Sequence, residues 1–305
     1  MRILIIGATG FIGRELVKEL ISGGHQPVAV SRNAVKAGEI LGSQVETLIW
    51  SGQSAADLAN ILPGFEAVIN LAGENLASGR WTDNRKRLIT ESRLKTGNLV
   101  AEAIKLSSAR PSVLIQGSAI GIYGTTVDSV ADETCNFGTG FIANLTRDWE
   151  ASVKPAEKLL RRVIWIRTGL VLGKNGGLLK KMTLPFKYYS GTIIGTGRQW
   201  MSWIHLIDQV RAIVFLLENK HSAGPYNLTA PGPVMMKDFI KKISEITGKP
   251  AWLRVPGWTI KTVLGDMADE TILASQNIYP ARLLEEGFRF EFAKIEPALR
   301  NLLNK

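Results

Sequence analysis

The sequence predicts an α/β protein, a doubly wound parallel sheet carrying a smaller, mostly helical C-terminal region. Three observations predict it. The apolar run Ile3-Leu4-Ile5-Ile6 passes directly into Gly7-Ala8-Thr9-Gly10-Phe11-Ile12-Gly13, and an amphipathic segment follows. Short aliphatic runs then alternate with helix-length segments as far as Arg167, the pattern of parallel strands joined by crossover helices. Beyond Gly173 the alternation loosens, and after Ala230-Pro231-Gly232-Pro233 helical periodicity prevails.

A strand buried on both faces reads as a continuous apolar run, which suits Ile3 to Ile6. In the next segment Leu16, Val17, Leu20 and Ile21 form one helix face, while Arg14, Glu15, Lys18 and Glu19 form the other; Gly23-Gly24 stops it. Pro27-Val28-Ala29-Val30 is the second strand. A third is expected near 45–50, a short helix near 55–62, a fourth strand at 67–70 and a long helix near 84–106. A fifth strand at 113–116, a helix near 141–160 and a sixth strand at 163–167 complete the alternation. From Gly176 to Trp203 glycine, aromatic and basic residues dominate, as in a substrate-facing insertion. A helix near 206–218 and a strand near 225–228 return to the sheet. The expected division is a coenzyme-binding domain over 1–230 and a substrate or cap domain over 231–305.

The glycine turn carries the first chemistry. Gly7 permits the tight turn, Gly10 lets the backbone approach a pyrophosphate, and Gly13 allows close helix–strand packing; Thr9, Phe11 and Ile12 complete the loop. Free N–H groups at a helix start, with the positive end of its dipole, favour phosphate. The same spacing also serves turns that only pack a helix on a sheet, but here it stands between a strand and a helix, the context that dinucleotide binding requires. At the end of the second strand a carboxylate would accept from the ribose 2′-hydroxyl of NAD, whereas an arginine suits the 2′-phosphate of NADP. This chain has Ser31-Arg32-Asn33, then Lys36, and no carboxylate before Glu39. The expected cofactor is therefore NADP(H), with Ser31 and Arg32 at its extra phosphate.

Composition narrows the remaining classes. The chain's 305 residues are 45% hydrophobic, enough for a full core. One cysteine, Cys135, excludes an internal disulfide and suits a reducing compartment, so a cytoplasmic location is expected. The first strand begins at residue 2 or 3, leaving no room for a cleaved signal, and no apolar stretch approaches the ~20 residues of a membrane span. Eight of the ten net positive charges fall between Glu150 and Trp200. A basic cleft steers anionic ligands, so a small anionic substrate, such as a nucleotide sugar, is the expected partner. Nucleic acid is not, because the cations are interrupted by apolar segments and no binding motif accompanies them. No His, Cys, Asp or Glu cluster has metal-ligand spacing.

Later motifs sharpen this picture. Asn70-Leu71-Ala72-Gly73 closes the fourth strand, Ser118-Ala119-Ile120-Gly121-Ile122-Tyr123-Gly124 follows the fifth, and Trp203-Ile204-His205-Leu206-Ile207-Asp208 enters a late helix. With the glycine turn, these resemble an extended short-chain dehydrogenase/reductase of Rossmann type, the superfamily of nucleotide-sugar epimerases and dehydratases. A narrower resemblance is to its atypical subgroup labelled "epimerase family protein" or "cell division inhibitor", which has an extra C-terminal domain. It rests on Leu71-Ala72-Gly73-Glu74-Asn75, Trp149-Glu150, Arg167-Thr168-Gly169-Leu170-Val171-Leu172-Gly173, Gly197-Arg198-Gln199-Trp200-Met201-Ser202-Trp203 and Val255-Pro256-Gly257-Trp258. The resemblance implies that Trp50 and Ser51 border the adenine. It also implies that Leu71, Ala72, Gly73 and Glu74 line the pyrophosphate and ribose, and that Thr168 lies near the nicotinamide.

It further implies a tyrosine acid/base with a lysine four residues on, and a serine that orients the substrate oxygen. Ser118 fits the serine's place just beyond the fifth strand. The tyrosine–lysine pair has no counterpart: alignment on Glu150 brings Ile142 and Thr146 to those positions, and a one-residue slide brings Phe141 and Leu145. The asparagine of the preceding long helix is replaced by Arg93. Tyr123 is a candidate substitute, facing either the cleft or the helix layer. Glu74 sits near the coenzyme loop but also suits a polar turn, and His205 before a helix reads as structural or substrate-contacting. Trp200, Trp203, Tyr188 and Tyr189 suit either ligand stacking or a subdomain core. Two functions remain open: an NADP(H)-dependent oxidoreductase or epimerase-like enzyme with Ser118 at the substrate oxygen, and a non-catalytic NADPH-binding regulator acting on a protein partner.

Overall fold

Seven strands run parallel through the centre of the computed structural model, which describes residues 1–76, 79–174 and 176–303. They are β1 (Arg2–Ile6), β2 (Gln26–Ser31), β3 (Glu46–Ile49), β4 (Ala67–Asn70), β5 (Val113–Ala119), β6 (Arg162–Thr168) and β7 (Gly224–Leu228). Their spatial order is β7-β6-β5-β4-β1-β2-β3, so the chain reverses direction across the sheet between β1 and β4. In such sheets, ligands bind outside the carboxyl ends of the strands at that reversal.

Alternation of side chains along the strands builds two cores. Ile3, Ile5, Ile69, Ile115, Ile164 and Ile166 face α1 (Phe11–Ser22) and the later helix 206–218, against Leu16, Leu20, Ile213 and Leu216. Leu4, Ile6, Val68, Leu114 and Trp165 face the other way, against Leu58, Leu62, Val100 and Ile104. That second layer comprises α3 (Ala55–Ile61) and α4 (Asp83–Leu106), while α2 (Ala34–Leu41) flanks β2 and β3. Full burial of one such aliphatic side chain contributes about 1.5–3 kcal/mol, which is why the apolar runs were informative.

Two expected boundaries move. The expected helix over 141–160 is α5 (Phe141–Ser152) followed by a separate 3-10 turn, Lys154–Lys158, because Pro155 has no N–H to continue the ladder. The fifth strand does not end at Gln116; its register with β6 continues through Ser118 opposite Arg167 and Ala119 opposite Thr168. Ser118 thus lies within β5, not beyond it.

Past β6 the chain forms α6 (Gly177–Lys187), α7 (Leu206–Glu218), α8 (Met236–Thr247), α9 (Gly257–Leu264), α10 (Ala281–Glu285) and α11 (Ile295–Leu303). Leu179, Met182, Phe186, Met201 and Trp203 join Phe239, Ile240, Ile243 and Leu299 in a third core. The 176–203 stretch, expected to face substrate, therefore spends much of its apolar surface on packing. Trp203 is fully buried within it, whereas Tyr188 and Tyr189 are exposed. Residues 275–278 then pair with 126–131, and Leu283 and Phe288 enter the first core beside β7.

Candidate functional site

The helices differ in how their first amides are satisfied. Asn33, Ser54 and Thr82 cap α2, α3 and α4 with side-chain oxygens. α1 has Gly10 at that position, with no side-chain cap and no acidic residue in its first turn. Its leading N–H groups therefore face the carboxyl ends of β1 and β4 as donors. Gly7, at φ +89°, makes the turn, and a Cβ there would lie 2.9 Å from the Leu71 carbonyl carbon. At Gly13 a Cβ would lie 2.3 Å from Gly7 O, so the helix can sit this close only without one. Phe11 turns its ring away onto Gly173, Gly176 and Gly177, leaving its backbone for the loop. Thr9 and Ile12 are half-buried beside it.

At the end of β2, Ser31 Oγ accepts from Asn33 N at 3.2 Å and donates to Asn33 O at 3.0 Å, shaping the turn that presents Arg32. Arg32 is exposed and has no hydrogen-bond or ionic partner among the described residues. Ser51 is exposed, while Trp50 is buried in the second core with its Nε1 donating to Ser54 O at 2.9 Å. After β4, Asn70 Oδ1 accepts from Ala72 N at 3.1 Å and sets the course of Leu71, Ala72 and Gly73 across the end of β1. An uncapped helix start, a cradle without side chains and a free guanidinium together fit a dinucleotide with an additional phosphate.

Beneath this cradle the ends of β5 and β6 carry a buried polar chain. Ser118 Oγ donates to Glu150 Oε1 at 2.6 Å. Arg167 grips the same carboxylate with two nitrogens, Nε to Oε1 at 2.9 Å and Nη2 to Oε2 at 3.0 Å, and both side chains are nearly inaccessible. Its Nη1 donates to Tyr123 OH at 2.8 Å, and Tyr123 donates to Asn227 Oδ1 at 2.8 Å. Burial, opposed by Arg167, pushes the Tyr123 phenol up to about 12. With its ring buried and both hydroxyl roles taken, Tyr123 braces Arg167 instead of offering a proton to the cleft; its candidacy as the acid/base is corrected accordingly. Glu150 and Arg167 escaped the reading from sequence as site residues, although both stood in quoted motifs. Their pairing joins positions 17 apart on different elements, and no local spacing announces it.

Residues 3–229 match the model of the NAD dependent epimerase/dehydratase family. The chain belongs to that family. Residues 255–302 match a second model, a domain of unknown function. The epimerase family protein YfhF of Bacillus subtilis is 36% identical over 304 residues, covering 99% of this chain and 98% of that one. The human epimerase family protein SDR39U1, whose crystal structure was determined with NADPH, superposes with a TM-score of 0.89 at 30% identity over 99% of both chains. The UDP-glucose 4-epimerase of Thermotoga maritima, at 18% identity and a TM-score of 0.80 over 99% and 97% of the two chains, shares the fold.

Family position also locates the remaining candidates. Ile142 and Thr146 project from the first turns of α5: Ile142 packs with Trp81, Ile89, Leu145 and Met267, and Thr146 Oγ1 donates to Ile142 O at 2.7 Å. Met267 reaches this place from the C-terminal segment, where Glu270 receives Phe141 N at 3.0 Å and Ile142 N at 3.1 Å, supplying the cap that Gly140 cannot. Glu74 is half-exposed and paired with Arg85 at 3.0 Å. Thr168 Oγ1 accepts from Gln209 Nε2 at 3.2 Å. His205 caps α7 through Nδ1, stacks on Phe292 at 4.0 Å and has its pKa lowered by burial. Asp208 is fully buried, receives the backbone N–H groups of Glu291 and Phe292 at 2.8 Å each, and has its pKa raised by burial. Both side chains anchor α7, His205 at its first turn and Asp208 to residues 291 and 292. Among the described residues no helix is long and apolar enough to cross a membrane, and no group of three metal-ligating side chains occurs.

Proposed function

We propose that the protein is an NADP(H)-dependent enzyme that oxidises or reduces a small anionic substrate, as epimerases and dehydrogenases of its superfamily do at a carbinol carbon. The observation that carries this reading is the Ser118–Glu150 hydrogen bond at the carboxyl end of β5. The coenzyme, when bound, supplies or accepts the hydride. The uncapped start of α1 binds its pyrophosphate, and Arg32 pairs with its 2′-phosphate, the basis for preferring NADP(H) over NAD(H). Ser118 has one hydrogen, and it points at Glu150, so its lone pairs are left to accept the proton of a substrate hydroxyl. As that proton arrives on Ser118 Oγ, the serine's own proton passes to Glu150 Oε1; reduction runs the same two transfers backwards. Arg167 holds the carboxylate in place throughout. This relay takes over the proton that the superfamily's tyrosine handles, the tyrosine and lysine positions falling on Ile142 and Thr146 or, one residue earlier, on Phe141 and Leu145.

One feature favours the regulatory alternative, a coenzyme-bound protein that signals to a partner: Met267, from the C-terminal segment, shares an apolar cluster with Phe141 and Ile142, the two residues that alignment brings to the tyrosine's position. The two readings part in a single experiment. Purified protein is titrated calorimetrically with NADPH and NADH, then incubated with NADPH and a panel of anionic carbonyl compounds and nucleotide sugars while absorbance at the reduced nicotinamide band is followed. The enzyme reading requires turnover that Glu150→Gln abolishes without loss of NADPH binding. Binding with no turnover across the panel supports the regulator, and no binding of either coenzyme removes both.

A further inference from the structure

Two buried arginines differ in counter-charge among the described residues. Arg167 is paired with Glu150. Arg93, in the middle of α4 and 8% exposed, has no ion-pair partner there. Its Nη1 donates to two carbonyls, Glu74 O and Ile89 O, both at 3.1 Å. Its Nε and Nη2 have no acceptor among the described residues. The Trp149 ring lies 5.0 Å from its Cζ and shields one face. The nearby carboxylate of Glu74 is held by Arg85, so this corner carries two guanidinium groups against one carboxylate. Burial lowers the Arg93 pKa to about 10, the expected response of a cation whose surroundings do not neutralise it.

The guanidinium is open beside Gly73. A Cβ on Gly73 would lie 3.2 Å from Cζ, 3.3 Å from Nη2 and 3.5 Å from Nε, above the guanidinium plane, so any side chain at this exposed glycine would cover that face; Nε and Nη2, though unpaired, are not sealed from solvent. Gly73 is not among the residues with positive φ, so space at the guanidinium, not backbone conformation, is what a side chain there would take away. Nε and Nη2 form the pair of parallel donors that receives a carboxylate in two-point fashion. Trp149 reaches from Arg93 to Gly117, its ring atoms lying 3.2 Å from where a Gly117 Cβ would be, and Gly117 adjoins Ser118.

Building on the function proposed above, we propose that Arg93 is a substrate-binding residue that seats a carboxylate, directing the adjoining hydroxyl or carbonyl carbon towards Ser118. The substrate class is then a hydroxy or oxo acid, with the charged group recognised by α4 and the reacting group by β5.

The test uses oxalate and malonate as probes, with neutral malonamide as control, titrated calorimetrically into the full chain with and without NADPH. Quenching of Trp149 fluorescence, identified by difference from Trp149→Phe, reports the same event. Wild-type protein is expected to bind a dicarboxylate and not malonamide. Arg93→Gln should weaken that binding about 10- to 100-fold, the value of a lost charge-assisted pair, and Arg93→Lys should fall between, keeping the charge without the fork. NADPH affinity is measured for each variant. Absence of carboxylate binding, survival of it in Arg93→Gln, or stronger binding of inorganic phosphate than of either dicarboxylate overturns the assignment. So does a parallel loss of NADPH in Arg93→Gln, which would make Arg93 a brace for the Glu74 loop. The coenzyme-free titrations judge this site even if wild-type protein fails to bind NADPH, a failure that would count against the function reading alone.

Discussion

Replacing Glu150 by glutamine keeps the side chain's shape and removes the charge that neutralises Arg167. The carboxylate meets three donors: Ser118 Oγ and Arg167 Nε at one oxygen, Arg167 Nη2 at the other. An amide has one acceptor oxygen, so in either orientation its NH2 is set against a guanidinium or hydroxyl hydrogen. The unpaired guanidinium is 3% exposed and cannot turn to water. Breaking a buried pair in this way costs about 3–5 kcal/mol, and Arg167→Met, which strands the carboxylate, should cost a similar amount. Removing both charges restores an uncharged layer, so the double variant should lose far less than the sum, with a coupling of at least about 2 kcal/mol. Urea unfolding followed by far-UV circular dichroism, on the wild type, both single variants and the double, measures that coupling. Single losses below about 1 kcal/mol that add within about 0.5 kcal/mol would refute the reasoning, because only solvated or unpaired groups behave so.

Arg32→Asp should weaken NADPH by about 10- to 100-fold and NADH by much less, read by calorimetry, since only NADPH places a phosphate at that guanidinium. Gly13→Ala should abolish binding of both coenzymes and lower the midpoint of thermal unfolding, because its Cβ would fall within bonding-clash distance of Gly7 O and drive α1 from β1. His205 has a folded pKa held below its unfolded value by burial, so its contribution to stability is present above about pH 6.5 and is lost as pH falls through the folded value. His205→Asn keeps a helix cap and removes the titration. It should therefore flatten the acid limb of stability against pH by up to about 1.4 kcal/mol per pH unit; an unchanged slope in urea midpoints between pH 4 and 7 would exclude His205 as its source.

What the sequence disclosed follows the range of the forces involved. β4 occupies 67–70 and α7 occupies 206–218 as expected, because burial on both faces of a strand and one face of a helix is written residue by residue. The glycine turn was equally legible, since the contacts that demand Gly13 lie within six residues of it. The end of α5 was missed although Pro155 marked it, because the apolar periodicity continued through Leu159 and Leu160. The extension of β5 was missed because Gly117 and Ser118 have poor strand propensity; pairing with Ile166 and Arg167 holds them there. The Glu150–Arg167 pair and the open face of Arg93 are tertiary facts. The partners of the first stand 17 positions apart on a helix and a strand, with no spacing rule to join them, and the second depends on an atom that a glycine 20 residues away does not have.

The carboxylate that closes the start of α5 has a consequence for how the molecule is made. Phe141 and Ile142 wait for Glu270, 129 and 128 positions later in the chain. At ribosomal speeds of about 5–20 residues per second that interval is roughly 6 to 26 s. The sheet can assemble as its strands emerge, but the helix bearing Glu150 keeps an uncapped leading turn until residue 270 has been made. A chain that ends between Leu228 and Glu270 therefore has all seven strands of the sheet and an uncapped start to α5.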